Sequence, residues 1–367
     1  MTINTLHQFI VGAAPGDAIT DHALLIRRWL RELGFASNLY AYHIHEAIED
    51  EVRPMTTLRA GNEGGWLIAH HSIGSPAIDR LLARRFQLIL IYHNITPAEF
   101  FAPVDPAWAN FMRMGQKQLQ QFPPQTRLAL AVSPYNRLDL QQLPFNQTGV
   151  LPLALDERLY QTPSNQALVA EFNGRGPILL FVGRIAPNKR QEDLIKLLFY
   201  YRRIEPEARL VLVGDRWQLG YDRWLEGMAH SLGLAEAVTL TGRVSQADMV
   251  TYYRTADLYV SMSEHEGFGK PLIESMYLDL PVLAYRSTGI PYTLGEAGIM
   301  FKEKDYESLA ELVDMLINDK SLRNRLLKKQ EERVKGFLEP QVKAQLQAYL
   351  EQLGLMSQYK YFATYPQ

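Results

Sequence analysis

Five consecutive apolar residues, Ile178-Leu179-Leu180-Phe181-Val182, constrain this chain more than any other stretch, because they leave no polar face. A run that short suits a β-strand covered on both sides, which is the environment of a parallel sheet with helices on each face. Similar runs recur at 210–213, 238–241, 258–262 and 282–285, separated by amphipathic stretches. Strand and helix therefore alternate, and about five parallel strands are expected in this half. The first half repeats the pattern more loosely. Strands are expected at 9–13, 37–42, 66–70, 88–92 and 128–133, with helices at 20–33, closed by Gly34, and at 78–86. Residues 43–63 read as a polar segment, and 150–153 as the crossing into the second half.

A length of 367 residues suits two domains, each able to bury its own core. We place them at 1–152 and 153–339, with a charged helical tail from residue 308 whose last segment, about 340–367, packs back on the first domain. The chain has no cysteine, which excludes disulfides, thiolate metal sites and cysteine nucleophiles. Formal charge is -2, and residues 1–155 carry twelve basic and twelve acidic side chains, so no half presents a nucleic-acid surface. Neither a basic leader nor an 18-residue apolar run is expected to direct the chain into a membrane.

The densest chemistry lies in Ser263-Glu264-His265-Glu266-Gly267-Phe268-Gly269-Lys270-Pro271-Leu272-Ile273-Glu274. A β-rich run precedes it, two glycines punctuate it, and Pro271 stands where the first residue of a helix is expected. Such a strand-turn-helix junction aims the N–H groups of Phe268, Gly269, Lys270 and Leu272 at one point, where the positive helix end favours phosphate. Arg184 and Lys189 follow the tip of the 178–182 strand, five residues apart, and two cations there suit a diphosphate. In the first half His93 stands at the tip of the 88–92 strand, where ligands of open α/β sheets bind. His43, His45, His70 and His71 are weaker candidates than His93. Arg80, Arg84 and Arg85 read as a solvated helix face, and the apolar stripe Trp108, Phe111, Met112, Leu119, Phe122 as packing rather than an acceptor groove or membrane contact.

Together these elements resemble the family 4 retaining glycosyltransferases of the GT-B fold, and within them bacterial enzymes that build surface polysaccharide. The likeness rests on Phe181-Val-Gly-Arg184-Ile-Ala-Pro-Asn-Lys189, Val213-Gly-Asp215, Thr241-Gly-Arg-Val244 followed by Tyr252-Tyr253 and Ala256-Asp257-Leu258, and Glu266 to Glu274 with seven residues between them. In the first half it rests on Gly16-Asp17-Ala18, on Tyr92-His-Asn-Ile-Thr-Pro97, and on Ser133 before a helix. The resemblance implies an α/β GT-B architecture, two Rossmann-like domains whose parallel sheets face a central cleft. It implies that Arg184 and Lys189 neutralise the donor diphosphate, that Glu266 contacts the donor sugar, and that the amides of Gly267, Phe268, Gly269, Lys270 and Leu272 hold sugar and phosphate. Glu274 is then expected at the ribose, Val244 beside the base, Gly16 and Asp17 near the phosphates, and His93 near the sugar. Two departures stand out: Arg190 replaces a glycine usual after the lysine, and Tyr292 follows Gly289-Ile290-Pro291 where a glutamate is common.

The implied reaction transfers a hexose, with mannose the guess, from a GDP- or UDP-linked sugar to a saccharide or lipid-linked saccharide in the cytoplasm, as in surface polysaccharide synthesis. Weak peripheral membrane association and oligomeric state stay open. Breaking a sugar–diphosphate bond places negative charge on the leaving phosphate, which cations and aligned amides stabilise. With that pair no metal or cofactor is expected, and no Asp-x-Asp motif is present. A front-face reaction assisted by the leaving phosphate is expected, with double displacement on a carboxylate as the competing mechanism. A catalytically silent nucleotide-sugar-binding subunit and a nucleotide-sugar epimerase are the alternative functions.

Overall fold

A computed structural model describes residues 5–58, 65–172, 174–216 and 220–356. The end of the expected 340–367 segment and part of the 43–63 segment lie outside the described residues. Two separate sheets are present, and every strand pair in them is parallel.

The first sheet contains β1 (His7–Ala13), β2 (Leu39–Ile44), β3 (Val52–Pro54), β4 (Trp66–His71), β5 (Gln87–Tyr92), β6 (Thr126–Ala131) and β7 (Thr148–Val150), in the order β3-β2-β1-β4-β5-β6-β7. The second contains β8 (Ile178–Val182), β9 (Arg209–Val213), β10 (Val238–Gly242), β11 (Leu258–Ser261), β12 (Val282–Tyr285) and β13 (Ile299–Phe301), in the order β10-β9-β8-β11-β12-β13. The second sheet thus has six strands, not the five expected. β13 is three residues long and pairs only with β12. An edge strand that short carries no periodicity to read. For the same reason the polar segment hides β3, and the expected crossing at 150 begins as β7.

Burial follows the reading of the apolar runs. β8 is buried throughout, as are Leu194, Ile195, Leu197 and Leu198 on the helix Gln191–Tyr201 that shares its core. On the stripe of the helix Pro106–Leu119, Met112 and Leu119 are buried but Phe111 is exposed. The helix Glu339–Gln352 lies on the first sheet's side of the molecule: Leu346 and Leu350 pack with Trp29, and the Tyr349 hydroxyl bonds both the N–H and the carbonyl of Val150 at 3.2 Å. Glu339 accepts from Trp29 Nε1 at 2.7 Å and from Arg28 at 2.5 Å. Phe268 and Ile273 of the second domain share that core with Trp29, so one apolar cluster spans both domains. Among the described residues no helix is long and apolar enough to cross a membrane.

Candidate active site between two switch points

Each sheet reverses its strand order once, between β1 and β4 in the first and between β8 and β11 in the second. The chain diverges to opposite sides at such a point and leaves a crevice beyond the carboxyl ends of the strands. Arg184, Lys189, Glu266 and the glycine turn stand at the second crevice and Gly16 and Asp17 at the first, and His93, beyond β5, meets the glycine turn.

On the second domain, Arg184 leaves the tip of β8 exposed, with its guanidinium 5.8 Å from the Trp108 ring of the first domain. The loop then makes a tight helical turn, Pro187–Lys189, and Arg190 takes φ 55°, ψ 47° before the helix Gln191–Tyr201. Arg190 therefore adopts the left-handed backbone that a glycine would take there. Its side chain is held by Glu192 at 3.1 Å and by Glu264 at 2.9 Å. Lys189 Nζ lies 2.5 Å from Glu266 Oε1, so the two residues expected to meet different parts of a donor already form one ion pair.

The turn after β11 presents that glutamate. Thr288 Oγ1 accepts from the N–H of Glu266 and donates to its carbonyl, both at 2.8 Å, and Gly289 N–H donates to the same carbonyl at 2.9 Å. The helix that follows is Lys270–Tyr277, with Gly269 at φ 83° as its cap, so Pro271 is its second residue rather than its first. Among the described residues the N–H groups of Gly267, Phe268, Gly269 and Lys270 have no acceptor. Leu272 differs from expectation: its N–H donates to Gly269 O at 3.0 Å, because the left-handed cap folds that carbonyl back into the first turn. Four amides remain for an anion instead of five.

Glu274 also differs. It is buried, and both carboxylate oxygens are occupied, Oε1 by the Tyr160 hydroxyl at 2.5 Å and Oε2 by the Tyr253 hydroxyl at 2.6 Å. Burial and the adjacent carboxylate push both phenols well above their ordinary pKa, so they stay protonated donors. A ribose would have to displace one of them. Lys270 Nζ lies 3.7 Å from Glu274 and 2.7 Å from Asp21 of the first domain. Burial disfavours its charge, but Asp21 and Glu274 outweigh that and raise its pKa.

On the first domain, Gly16 has φ 71° and Asp17 caps the helix Ala18–Glu32, accepting from Thr20 N–H and Oγ1 at 2.9 Å. Asp17 also lies close enough to Lys270 and Arg243 to raise the pKa of each. Val244 is half-buried against the second core, beside an Arg243–Asp215 pair at 2.5 Å. His93 and Asn94 at the tip of β5 meet the glutamate turn directly. A Cβ placed on Gly267 would lie 2.7 Å from Asn94 Cβ and 2.8 Å from His93 O. Ser133 Oγ donates to Gly267 O at 2.7 Å, and His265 Nε2 lies 2.6 Å from Asn94 Oδ1, which also binds Asn136 through its amide nitrogen. Burial lowers the His265 pKa to about 4. Behind His93 sit His70 and His22; one ring nitrogen from each of the three lies within 4.8 Å of the other two, close enough to hold a metal ion.

Sequence reasoning thus reached Arg184, Lys189, Glu266, the glycine turn and His93, and missed Asn94, Asn136, His265, Thr288, Tyr160 and Asp21. Asn94 offered a signal, since its φ of 78° suits asparagine at a strand tip. His265 lies within the glycine-turn stretch itself, but its partner Asn94 does not; the rest come from other segments, up to 249 residues away for the Asp21–Lys270 contact.

Residues 166–333 match the family model of glycosyl transferases group 1. A D-inositol 3-phosphate glycosyltransferase of Thermobifida fusca is 31% identical over 157 residues, 41% of this chain and 36% of that protein. A GDP-mannose-dependent alpha-(1-6)-phosphatidylinositol monomannoside mannosyltransferase of Mycolicibacterium smegmatis is 29% identical over 181 residues, 46% of this chain and 47% of that one. The matched stretches thus span less than half of either relative. Among solved structures, Anabaena HepE in complex with UDP and glucose superposes with a TM-score of 0.74 at 17% identity, covering 95% of this chain and 99% of its own. WaaG, a glycosyltransferase involved in lipopolysaccharide biosynthesis, gives 0.72 at 14% identity, covering 93% and 98%.

Proposed function

We propose, for a chain that belongs to the family-4-like group 1 glycosyl transferases through residues 166–333 and has the GT-B fold, that it transfers a hexose from a nucleotide-diphosphate sugar to a saccharide or lipid-linked saccharide, with retention. The observation that carries this reading is the Lys189–Glu266 pair set beside the four unengaged amides of residues 267–270, where both switch points meet.

A diphosphate entering there replaces Glu266 as partner of the Lys189 ammonium and takes the turn amides as further donors. Glu266 keeps a carboxylate oxygen for a sugar hydroxyl. As the bond from the anomeric carbon to the phosphate oxygen breaks, charge grows on the phosphate and these fixed donors stabilise it without reorganising. Arg184, exposed at the β8 tip, supplies a two-point contact to the same group. His93 borders the sugar from the other domain. On this reading the cations and amides do the work that a metal does elsewhere. A mannose donor is favoured over glucose by the mannosyltransferase relative alone, and the UDP-complexed neighbour keeps both bases in view.

The test is a thermal-shift panel of GDP- and UDP-sugars, followed by product analysis with saccharide acceptors. A donor that binds the folded state raises the melting temperature. Failure of every nucleotide sugar to bind or be consumed defeats the proposal.

A further inference from the structure

A buried hydrogen-bond chain runs across the three central strands of the first sheet to His93. Gln8 on β1 is fully buried, and its amide Nε2 donates to the Ala23 carbonyl at 2.9 Å. A carbonyl only accepts, so this contact fixes the orientation of the Gln8 amide. Its Oε1 then faces His70 Nε2 at 2.9 Å, and an amide oxygen also only accepts, so His70 carries its proton on Nε2. The other nitrogen of a neutral imidazole is an acceptor. His70 Nδ1 lies 2.9 Å from His93 Nε2, which must therefore be the donor. The two rings are inclined by 23°, an arrangement compatible with in-plane donation.

We infer that Gln8 and His70 are positioning residues which hold His93 as the Nε2–H tautomer and leave its Nδ1 as an acceptor for a substrate hydroxyl. This rests on the proposed glycosyl transfer for the identity of the hydroxyl, but not for the tautomer. Nδ1 has no partner among the described residues and is not sealed from solvent, while Gly267 of the opposite domain lies against the His93 backbone. His22, whose own ring nitrogens are buried without partners, stands edge-on to His93 at 5.8 Å between ring centres. A metal held by all three histidines is the competing arrangement. A metal bound through His70 Nδ1 and His93 Nε2 would have to break the contact between them, because those two nitrogens already share one proton.

The chain is tested on the full-length protein by long-range proton–nitrogen correlation spectra of its histidines. Wild type and Gln8→Glu, which retains an acceptor, are expected to show His93 protonated on Nε2 alone. Gln8→Met, similar in shape but without an acceptor, is expected to show a mixture of tautomers. In turnover, Gln8→Met lowers kcat by roughly tenfold or more, as a misplaced tautomer does in acid–base sites, with donor KM held within about twofold. His70→Asn, which supplies an oxygen acceptor, restores part of what His70→Leu loses. A wild-type His93 protonated on Nδ1 overturns the inference, and so does stoichiometric Zn2+ uptake that abolishes the Nε2–H signal. A single Nε2–H tautomer in a protein that binds no nucleotide sugar leaves the chain standing and defeats only the function proposed above.

Discussion

Lowering the pH from 7 to 5 destabilises the first domain through histidines that are buried in their neutral form. His71 is fully buried, its Nε2 bonded to Gly115 O at 2.9 Å, and burial lowers its pKa from 6.5 to about 4. His22 is buried beside the Lys270 ammonium, and burial, then that charge, lowers it to about 3. Both folded values lie below the unfolded value, so the unfolded chain binds more protons between them. The stabilisation is complete above about pH 6.5 and falls as the pH drops toward the folded values. At pH 5 each histidine removes about 2 kcal/mol, and the pair about 4 kcal/mol. A domain holds only about 5–15 kcal/mol, so the loss is large. His70 and His93 shift in the same direction. The assay is urea unfolding followed by near-ultraviolet circular dichroism at both pH values. His71→Gln keeps a donor for the Gly115 carbonyl but cannot titrate. It is expected to lose about 2 kcal/mol less than wild type on acidification. Equal losses in the two proteins, or a wild type indifferent to pH over this range, would refute the reasoning.

Four further perturbations separate roles within the site. Gly267→Ala sets a methyl against Asn94 and the His93 carbonyl, and should leave each domain folded while lowering kcat/KM on the order of 100-fold, with a larger radius of gyration by X-ray scattering. Lys189→Ala removes the partner of Glu266, and should weaken donor binding by roughly tenfold or more in calorimetric titration while leaving the melting temperature nearly unchanged. Tyr160→Phe leaves a buried oxygen of Glu274 without its donor and should destabilise by about 1–3 kcal/mol in thermal unfolding, whether or not donor is present. Arg190→Gly relieves a left-handed backbone worth about 1 kcal/mol but gives up contacts to Glu192 and Glu264, and its melting temperature should stay within a few degrees of wild type.

Legibility differs by element. β8 was readable because an apolar run of five admits few environments. β13, with three residues on the sheet edge, was not. In the turn, glycine spacing announced a bend but not which glycine served which purpose. Gly269 provides a left-handed cap, whereas Gly267 has no such φ and is small because Asn94 and His93 press against it from the other domain. The two glutamates were equivalent as letters. Glu266 faces Lys189 at the crevice, and Glu274, eight residues later on the buried side of a helix, is enclosed by two tyrosines.

The order of apolar runs and helices, by itself, determined that two parallel sheets would form and that Arg184, Lys189, His93 and the glycine turn would stand at strand tips. Those are local consequences of burial period and turn chemistry, which neighbouring residues decide. Tertiary structure alone decided which tips face each other, which amides stay unpaired, and which ring nitrogen of His93 is left to act. Each depends on groups brought together from far along the chain, Gln8 with His70 and Gly267 with Asn94, and no local pattern records such a meeting.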